Sequence, residues 1–408
     1  MTKYAIGVDF GTLSGRALLV SLEDGEEIAS CVMEYPHGVM DRTLPSGERL
    51  ENGAAFQHPQ DYLDVLNHTV KTVVAQSGVC PEDIVGLGID FTSCTVLPVL
   101  EDGTPLCVLD EFSSDPHAYV KLWKHHSAQQ EADEITALAE ERKESWLARY
   151  GGKVSSEWLL PKVLETLHKS PMVFSAAQRF VEAGDWLVWN LTGREVHSSC
   201  MAGYKGTWHF EAGYPSDSFL TALDPRLHDL VGTKISTKVM PAGTLAGGLT
   251  KPAAENLGLC AGTAVSVPVI DAHAALPAAG ITGPGTLMMI MGTSTCHILM
   301  NGEEKEVPGI CGVVKDGVLP GYFAYEAGQA CVGDHFAWFM ENCLPERFLT
   351  QAAAEGKSVY ALMREKAALL APGESGLLAL DWWNGSRTPY VDADLSGLIL
   401  GMTLKTRP

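Results

Sequence analysis

The chain has 408 residues, 46% of them hydrophobic, and a formal net charge of -21 at pH 7. That is apolar material for at least two cores, because single cores rarely grow beyond roughly 250 to 300 residues, so two domains are expected. The acidic balance and the lack of any Lys/Arg run exclude nucleic acid and anionic membrane as main partners, since both reward clustered positive charge; an anionic ligand must be gripped locally.

The opening "YAIGVDFGTLSGRALLV" reads as a strand over residues 4–10, a turn over 11–15 and a second strand over 16–22. A turn at Glu23-Asp24-Gly25-Glu26 and a strand through Val32 complete a three-stranded meander. From Pro59 to Ser77 the residues Tyr62, Leu63, Leu66, Val70, Val73 and Val74 recur at helical spacing, with proline at the start and Gly78 after the end. This spacing predicts an amphipathic helix. Two more strands follow in "IVGLGIDFTSCTVLPVLEDGTPL" (84–106), joined at 91–95 and closed by an Asp102-Gly103 turn. Helical, charged text fills 116–185, and "GLTKPAAENLGLCAGTAVSVPVIDAHAA" returns to strand and then, from Asp271, to a helix of small residues. The alternation predicts an α/β class, with a boundary near 265–285. "TLMMIMGTSTCHILMNGEE" (286–304) repeats the grammar of the opening, so the two halves read as versions of one unit.

Ten cysteines scatter from Cys31 to Cys343 without a CxxC pair and read as reduced, mostly buried thiols. The N-terminus shows no basic segment followed by a long apolar stretch, and the later run "VPVIDAHAALPAAGITGPGTLMMIM" is broken by Asp271, His273, glycines and prolines. A cytoplasmic, non-membrane protein is the expectation.

The turns Gly11-Thr12-Leu13-Ser14-Gly15 and Gly292-Thr293-Ser294-Thr295 could each offer backbone N–H and hydroxyl donors to phosphate, clamping one nucleotide if the halves face one another. Either alone also suits a plain hairpin. Asp9 stands before the first turn and would repel bare phosphate unless Mg²⁺ lay between, which makes it a metal-positioning acid acting through water. No GxxxxGK[ST] occurs and no GxGxxG follows a strand, so the phosphate site is of another design. Asp271 lies at a strand's C-terminal end and a helix's start; it reads as a base or as a helix cap, with His273 nearby as a packed polar residue. Lys205 in "AGYKGTWHF" and Glu326 in "GYFAYEAGQACVGD" sit among aromatic and small residues, a setting that suits a polyol; each alone also reads as a solvated surface charge.

Taken together, "GVDFGT", "DWLVWNLTG", "VIDAHA", "MGTST", "YEAGQ" and "ADLSGLILGMTLKTRP" resemble the FGGY family of carbohydrate kinases over essentially the whole chain. The resemblance is nearest to its branch acting on L-ribulose. It implies two actin-like, ribonuclease-H-type domains, divided as 1–270 and 271–408, with ATP and sugar meeting in a central cleft. It implies further that Asp271 deprotonates the sugar hydroxyl, that Asp9, Gly11 and Thr12 match the first phosphate loop, which also holds Ser14, and that Gly292, Thr293 and Ser294 match the second. Lys205, Glu326 and Ser93 of "FTSCT" match sugar-binding positions, and Trp123 of "KLWKHH" stands where an aromatic flanks the sugar, although the charged residues after it differ from the usual Asp-Arg. The family continues past "GMTLKTRP" with a long helix and an adenosine-binding loop, so the second domain is expected to be incomplete and its adenine pocket is unassigned. The implied reaction is ATP- and Mg²⁺-dependent phosphorylation of L-ribulose to L-ribulose 5-phosphate in arabinose breakdown. Xylulose, ribitol or glycerol as substrate, a non-catalytic sugar or nucleotide sensor, and an actin-like filament or chaperone ATPase stay open as alternatives. A homodimer is the expected assembly.

Overall fold

In the computed structural model, which describes residues 2–51, 53–392 and 395–407, the opening forms β1 (Tyr4–Phe10), β2 (Ser14–Ser21) and β3 (Glu27–Glu34). β2 begins two residues before the predicted start because Ser14 and Gly15 already pair with Glu34 and Met33 of β3. Alternate residues Ile6, Val8 and Phe10 of β1 are buried, the period of a strand with one face in the core. After β4 (Phe56–Gln57) comes α1 (Pro59–Ser77), as predicted to the residue. His58 caps it by accepting from the Gln60 amide, and Gly78 ends it at φ 66°, a left-handed conformation that glycine adopts without penalty. Tyr62, Val65, Leu66, Val70 and Val73 are buried and lay α1 across β2 and β3. The approach is tight at Gly15, where a Cβ would stand 2.5 Å from Val65 Cγ1.

β5 (Ile84–Phe91) pairs in parallel with β1 in a register that sets Asp9 beside Asp90 and Phe10 beside Phe91. The two rings stack with centroids 5.0 Å apart and Tyr62 meets Phe91 edge-on at 4.9 Å. β6 (Val96–Val99) leaves this sheet and, with β7 (Val120–Lys121) and β8 (Arg179–Glu182), joins β4 in an antiparallel sheet of order β4-β7-β6-β8. The stretch read as helical thus contains two short strands and 3₁₀ turns at Pro116–Ala118 and Ser145–Tyr150 among α2 (Gln129–Arg142), α3 (Leu159–Lys169), α4 (Pro171–Ala176) and α5 (Ala183–Thr192). Strands of two and four residues are fixed by their partners rather than by local periodicity.

β9 (His197–Ser198) leads directly into α6 (Ser199–Lys205), and α7 (Asp217–Leu223) and the short α8 (Leu230–Thr233) precede β10 (Val239–Met240), which pairs with β9. β11 (Leu245–Gly248), α9 (Lys251–Leu257), β12 (Ala264–Ser266) and β13 (Val269–Ile270) return to the first sheet. Its order is β11-β12-β5-β1-β2-β3, with β13 also pairing β5, so β1, β12 and β13 all run parallel to β5.

α10 (Asp271–Ala278) crosses to a second four-stranded antiparallel sheet built from β14 (Leu287–Met291), β15 (Thr295–Asn301), β16 (Gly312–Lys315) and β17 (Phe323–Gln329) in the order β14-β15-β17-β16. The β14–β15 hairpin repeats that of β1–β2, down to a glycine amide donating to a serine carbonyl: Gly11 to Ser14 and Gly292 to Ser294. The repeat ends there, because β3 follows β2 at once, whereas the chain passes through β16 before β17 reaches β15. Ile298, Met300, Val314 and Ala324 share one hydrophobic cluster with Met201, Tyr204 and Ile270, so the halves are joined by core packing. Helices α11 (Gly333–Asn342), α12 (Glu346–Ala354) and α13 (Val359–Ala367) and the pair β18 (Leu378–Leu380) and β19 (Leu398–Leu400) complete the described chain. All ten cysteines are free, and Cys94, Cys107, Cys200, Cys311 and Cys331 are buried. Among the described residues no helix is long and apolar enough to cross a membrane.

Candidate active site

Three parallel strands each deliver an aspartate at their C-terminal ends: Asp9 on β1, Asp90 on β5 and Asp271 directly after β13. The pairings Asp9 with Asp90 and Val269 with Asp90 bring the three ends side by side, the edge where α/β sheets usually take their ligands. Burial first, then the neighbouring charges of Asp9 and Asp271, push the Asp90 carboxyl up to about 9, so Asp90 is protonated at neutral pH. Among the described residues its buried Oδ1 has no partner. Asp271 is raised to about 6, first by burial and then by Asp9 and Glu326, against the Ala272 amide and the Lys205 ammonium. Asp271 Oδ1 accepts from the Ala272 N–H at 2.6 Å, while its other oxygen has no protein partner among the described residues. Asp271 is the first residue of α10 rather than its cap, which is Ile270; one of its oxygens holds the Ala272 amide and the other is open to a proton.

Lys205, the last residue of α6, donates to both carboxylate oxygens of Glu326 on β17, at 2.9 and 3.2 Å. Both side chains are buried, so neither is a solvated surface charge. Burial opposes the pair, yet the Lys205 charge and the His273 contact hold the Glu326 carboxyl well below its usual range, and Glu326 in turn holds Lys205 well above its own. His273 Nε2 lies 3.2 Å from Glu326 Oε2, and its Nδ1 lies 3.0 Å from Cys200 Sγ. This is the packed polar role its sequence suggests. The pair links the two halves of the chain, and α6 reaches β16 closely only because residue 203 is glycine: a Cβ there would stand 2.3 Å from Val314 Cγ1.

The first turn is held from behind. The Tyr35 hydroxyl donates to the Gly11 carbonyl at 2.9 Å and Gln57 Nε2 to the Thr12 carbonyl at 2.8 Å, while Tyr62 donates to Gln57 at 2.7 Å. Trp123 Nε1 donates to Thr12 Oγ1 at 3.0 Å, so the predicted sugar aromatic touches the predicted phosphate turn. Ser93 lies half-buried in the loop between β5 and β6, followed by Cys94 at φ 57°. In the second turn the Gly292 and Thr293 carbonyls receive amides from 332–334 at the entry of α11. Gly333 is needed there, because a Cβ would lie 2.5 Å from the Gly292 carbonyl oxygen. The glycine amides of both turns are used internally; the amides of Thr12, Leu13, Thr293 and Ser294 have no protein acceptor among the described residues, and the buried Thr295 hydroxyl has no partner. Unpaired donors of this kind suit an anion. The charges of Asp9, Glu326 and Lys205 thus all reach Asp271, with Trp123 and Thr12 in contact; among the described residues no hydrogen bond joins the first turn to the second.

Asp90 escaped the motif reading although its signal is present. "GVDFGT" (7–12) and "GIDFTS" (88–93) are near-copies, and the β1–β5 register superposes them glycine on glycine and aspartate on aspartate.

The comparisons place this α/β chain, with its two matching hairpin turns and its strand-end carboxylates beside a buried Lys–Glu pair, in a class of sugar-phosphorylating enzymes. Residues 4–277 match the N-terminal domain, and 287–408 the C-terminal domain, of the FGGY family of carbohydrate kinases. The chain belongs to this family. It is 54% identical over 397 residues to a ribulokinase of Bacillus licheniformis, covering 97% of this chain and 72% of that protein. A ribulokinase of Shouchella clausii is 54% identical over 408 residues, covering 100% and 73%. Among solved structures, xylulose kinase from Rhodospirillum rubrum superposes with a TM-score of 0.79 at 23% identity over 99% of this chain and 74% of its own, and gluconate kinase from Lactobacillus acidophilus with 0.75 at 16% over 99% and 73%. The fold is thus the two-domain, actin-like fold of these kinases.

Proposed function

We propose that this carbohydrate kinase moves the γ-phosphoryl group of ATP to the terminal hydroxyl of L-ribulose, giving L-ribulose 5-phosphate. The observation that carries the substrate is the 54% identity to ribulokinases across 97% of the chain. The site supports it: the free oxygen of Asp271 accepts the hydroxyl proton, and the neighbouring Lys205–Glu326 pair offers donors and acceptors to the remaining hydroxyls. Trp123 and Ser93 flank the same sugar, and the amides of Thr12, Leu13, Thr293 and Ser294, with the hydroxyls of Ser14 and Thr295, bind phosphate oxygens. We divide the chain at 270/271 into a sugar-binding domain and the nucleotide domain, and take it to act in the cytoplasm, where ATP is supplied.

The residues present fit Mg²⁺. Among the described residues the buried Asp90 Oδ1 lacks a partner, and hard carboxylate oxygens are the ligands this ion takes. When bound, Mg²⁺ neutralises charge on phosphate oxygens. Asp9 would hold it, with Asp90 behind.

A coupled assay of ADP release over L-ribulose, xylulose, ribitol and glycerol is expected to give the highest kcat/KM with L-ribulose. A higher value for another member of the panel overturns the substrate assignment, and L-ribulose binding by calorimetry without turnover favours a sensor. Gly333→Ala, which must displace the Gly292 carbonyl, is expected to raise the KM for ATP several-fold while leaving sugar affinity unchanged. An unchanged KM for ATP removes the second turn from the phosphate site.

A further inference from the structure

Lys162 lies in the first turn of α3 and is 1% exposed. Among the described residues it forms no ion pair; its ammonium is bonded by backbone carbonyls alone. It donates to the Cys94 carbonyl and, at 2.8 Å, to the Leu122 carbonyl, with a longer contact of 3.4 Å to that of Lys121. Cys94 directly follows Ser93, and Leu122 directly precedes Trp123. One buried cation therefore ties together two backbone stretches far apart in sequence, each adjoining a residue of the proposed sugar site.

The loop it holds needs holding. Cys94 has φ 57°, a conformation that side chains other than glycine rarely adopt, and persists only where its surroundings fix it. Glu182 grips the same loop by accepting from the Thr95 amide at 2.9 Å, and among the described residues its second, buried oxygen has no partner. From Leu122 the linkage runs on through the Trp123 indole to Thr12 Oγ1 at 3.0 Å, which is the first phosphate turn. A buried ammonium is costly in an apolar interior, and a well-packed apolar side chain would commonly serve stability as well or better. Lys121 gives the contrast within the same fold. It is equally buried, but its ammonium binds Glu165 Oε2 and Thr166 Oγ1, each at 2.7 Å, and the Lys162 carbonyl at 2.9 Å, all on α3 and none adjoining Ser93 or Trp123.

We infer that Lys162 is a positioning residue for the sugar: its ammonium sets the Ser93 loop and the Trp123 segment in register with each other and with the first phosphate turn. The inference rests on the sugar-site reading of Ser93 and Trp123 given above. The ammonium acts through backbone carbonyls and is assigned no contact to sugar or nucleotide.

The test uses the full chain and L-ribulose titrated by calorimetry, with Lys162→Met and Lys121→Met compared. The parent titration comes first, because failure of the parent to bind L-ribulose overturns the site reading itself and this inference with it. Given parent binding, Lys162→Met is expected to weaken sugar affinity about ten- to a hundredfold, the scale of a pocket displaced by about 1 Å, while still melting cooperatively. Lys121→Met is expected to melt lower yet stay within about threefold of parent affinity. A folded Lys162→Met with parent-like affinity, or equal losses of affinity in both variants, overturns the inference. Hydrogen exchange on the unmutated protein decides the case in which Lys162→Met does not fold. Sugar is expected to slow amides at 93–96 and 122–124 together, and protection of only one stretch overturns the coupling.

Discussion

Asp271→Asn is expected to cut turnover by about 10²- to 10⁴-fold, the range in which general-base assistance usually falls, while sugar binding persists. The amide keeps the shape of the side chain and can still accept from Ala272 N–H through its oxygen, but it cannot take the proton of the attacking hydroxyl. The pH profile carries the same signature. Burial first, then the charges of Asp9 and Glu326, raise the Asp271 carboxyl to about 6, so the base is protonated below that value and kcat should fall about tenfold per pH unit on the acid side. The residual rate of Asp271→Asn should lack that limb. Stability should move in the opposite direction. A carboxyl whose folded-state pKa is raised favours folding fully below its unfolded value of 3.8 and loses that contribution as pH rises through about 6. At pH 8 the ionised Asp271 therefore costs up to about 3 kcal/mol, and the asparagine variant should melt higher than the parent. A variant that melts lower at pH 8, or that keeps parent-like turnover, rejects both the strained carboxylate and its role as base.

Much of this fold could be read from periodicity. The opening meander, α1 and the two turns stand out because their apolar residues recur at strand or helix spacing, and because hairpins and helix ends demand glycine, proline or small polar residues at fixed offsets. The stretch 116–185 was harder. From Leu159 to Leu167 every residue of α3 is buried, including Lys162 and Glu165, so these charges belong to the polar interior of the domain and give no amphipathic pattern. β7 exists because β4 and β6 lie on either side of it, and β8 because β6 lies beside it. The site was half legible. Asp9, Asp271 and the turns are local signals, but nothing in spacing says that Lys205 meets Glu326, 121 residues away. Asp90 was visible as a repeated hexapeptide, yet its importance comes from parallel pairing, a fact of topology rather than of the strand itself.

Lys205→Met is the substitution with the largest expected structural cost. It leaves Glu326 buried with only His273 for a partner, and removing one member of a buried pair typically costs about 3 to 5 kcal/mol, enough to lower the melting temperature by many degrees. The loss of function needs separating from that loss of stability. In Lys205→Met/Glu326→Leu both charges are gone, and well-packed apolar replacements of a buried ion pair are often neutral. The double variant should therefore recover most of the lost stability, a coupling that a double-mutant cycle of melts reads directly. It should not recover sugar binding, because the hydroxyls would meet methylenes where they need charged partners. The pair also leaves the acid range clear for Asp271. Glu326, depressed in the folded state, contributes stability above its unfolded value of 4.5 that is lost only as pH falls through a much lower folded value. Lys205, raised in the folded state, contributes stability that is complete below its unfolded value of 10.5. Between those limits the pair is insensitive to pH, so a kinetic transition near pH 6 that vanishes in Asp271→Asn cannot be ascribed to it. If the charge-free double variant binds L-ribulose as tightly as the parent, Lys205 and Glu326 are only a strut between the two halves, and the sugar's polar contacts must be sought elsewhere.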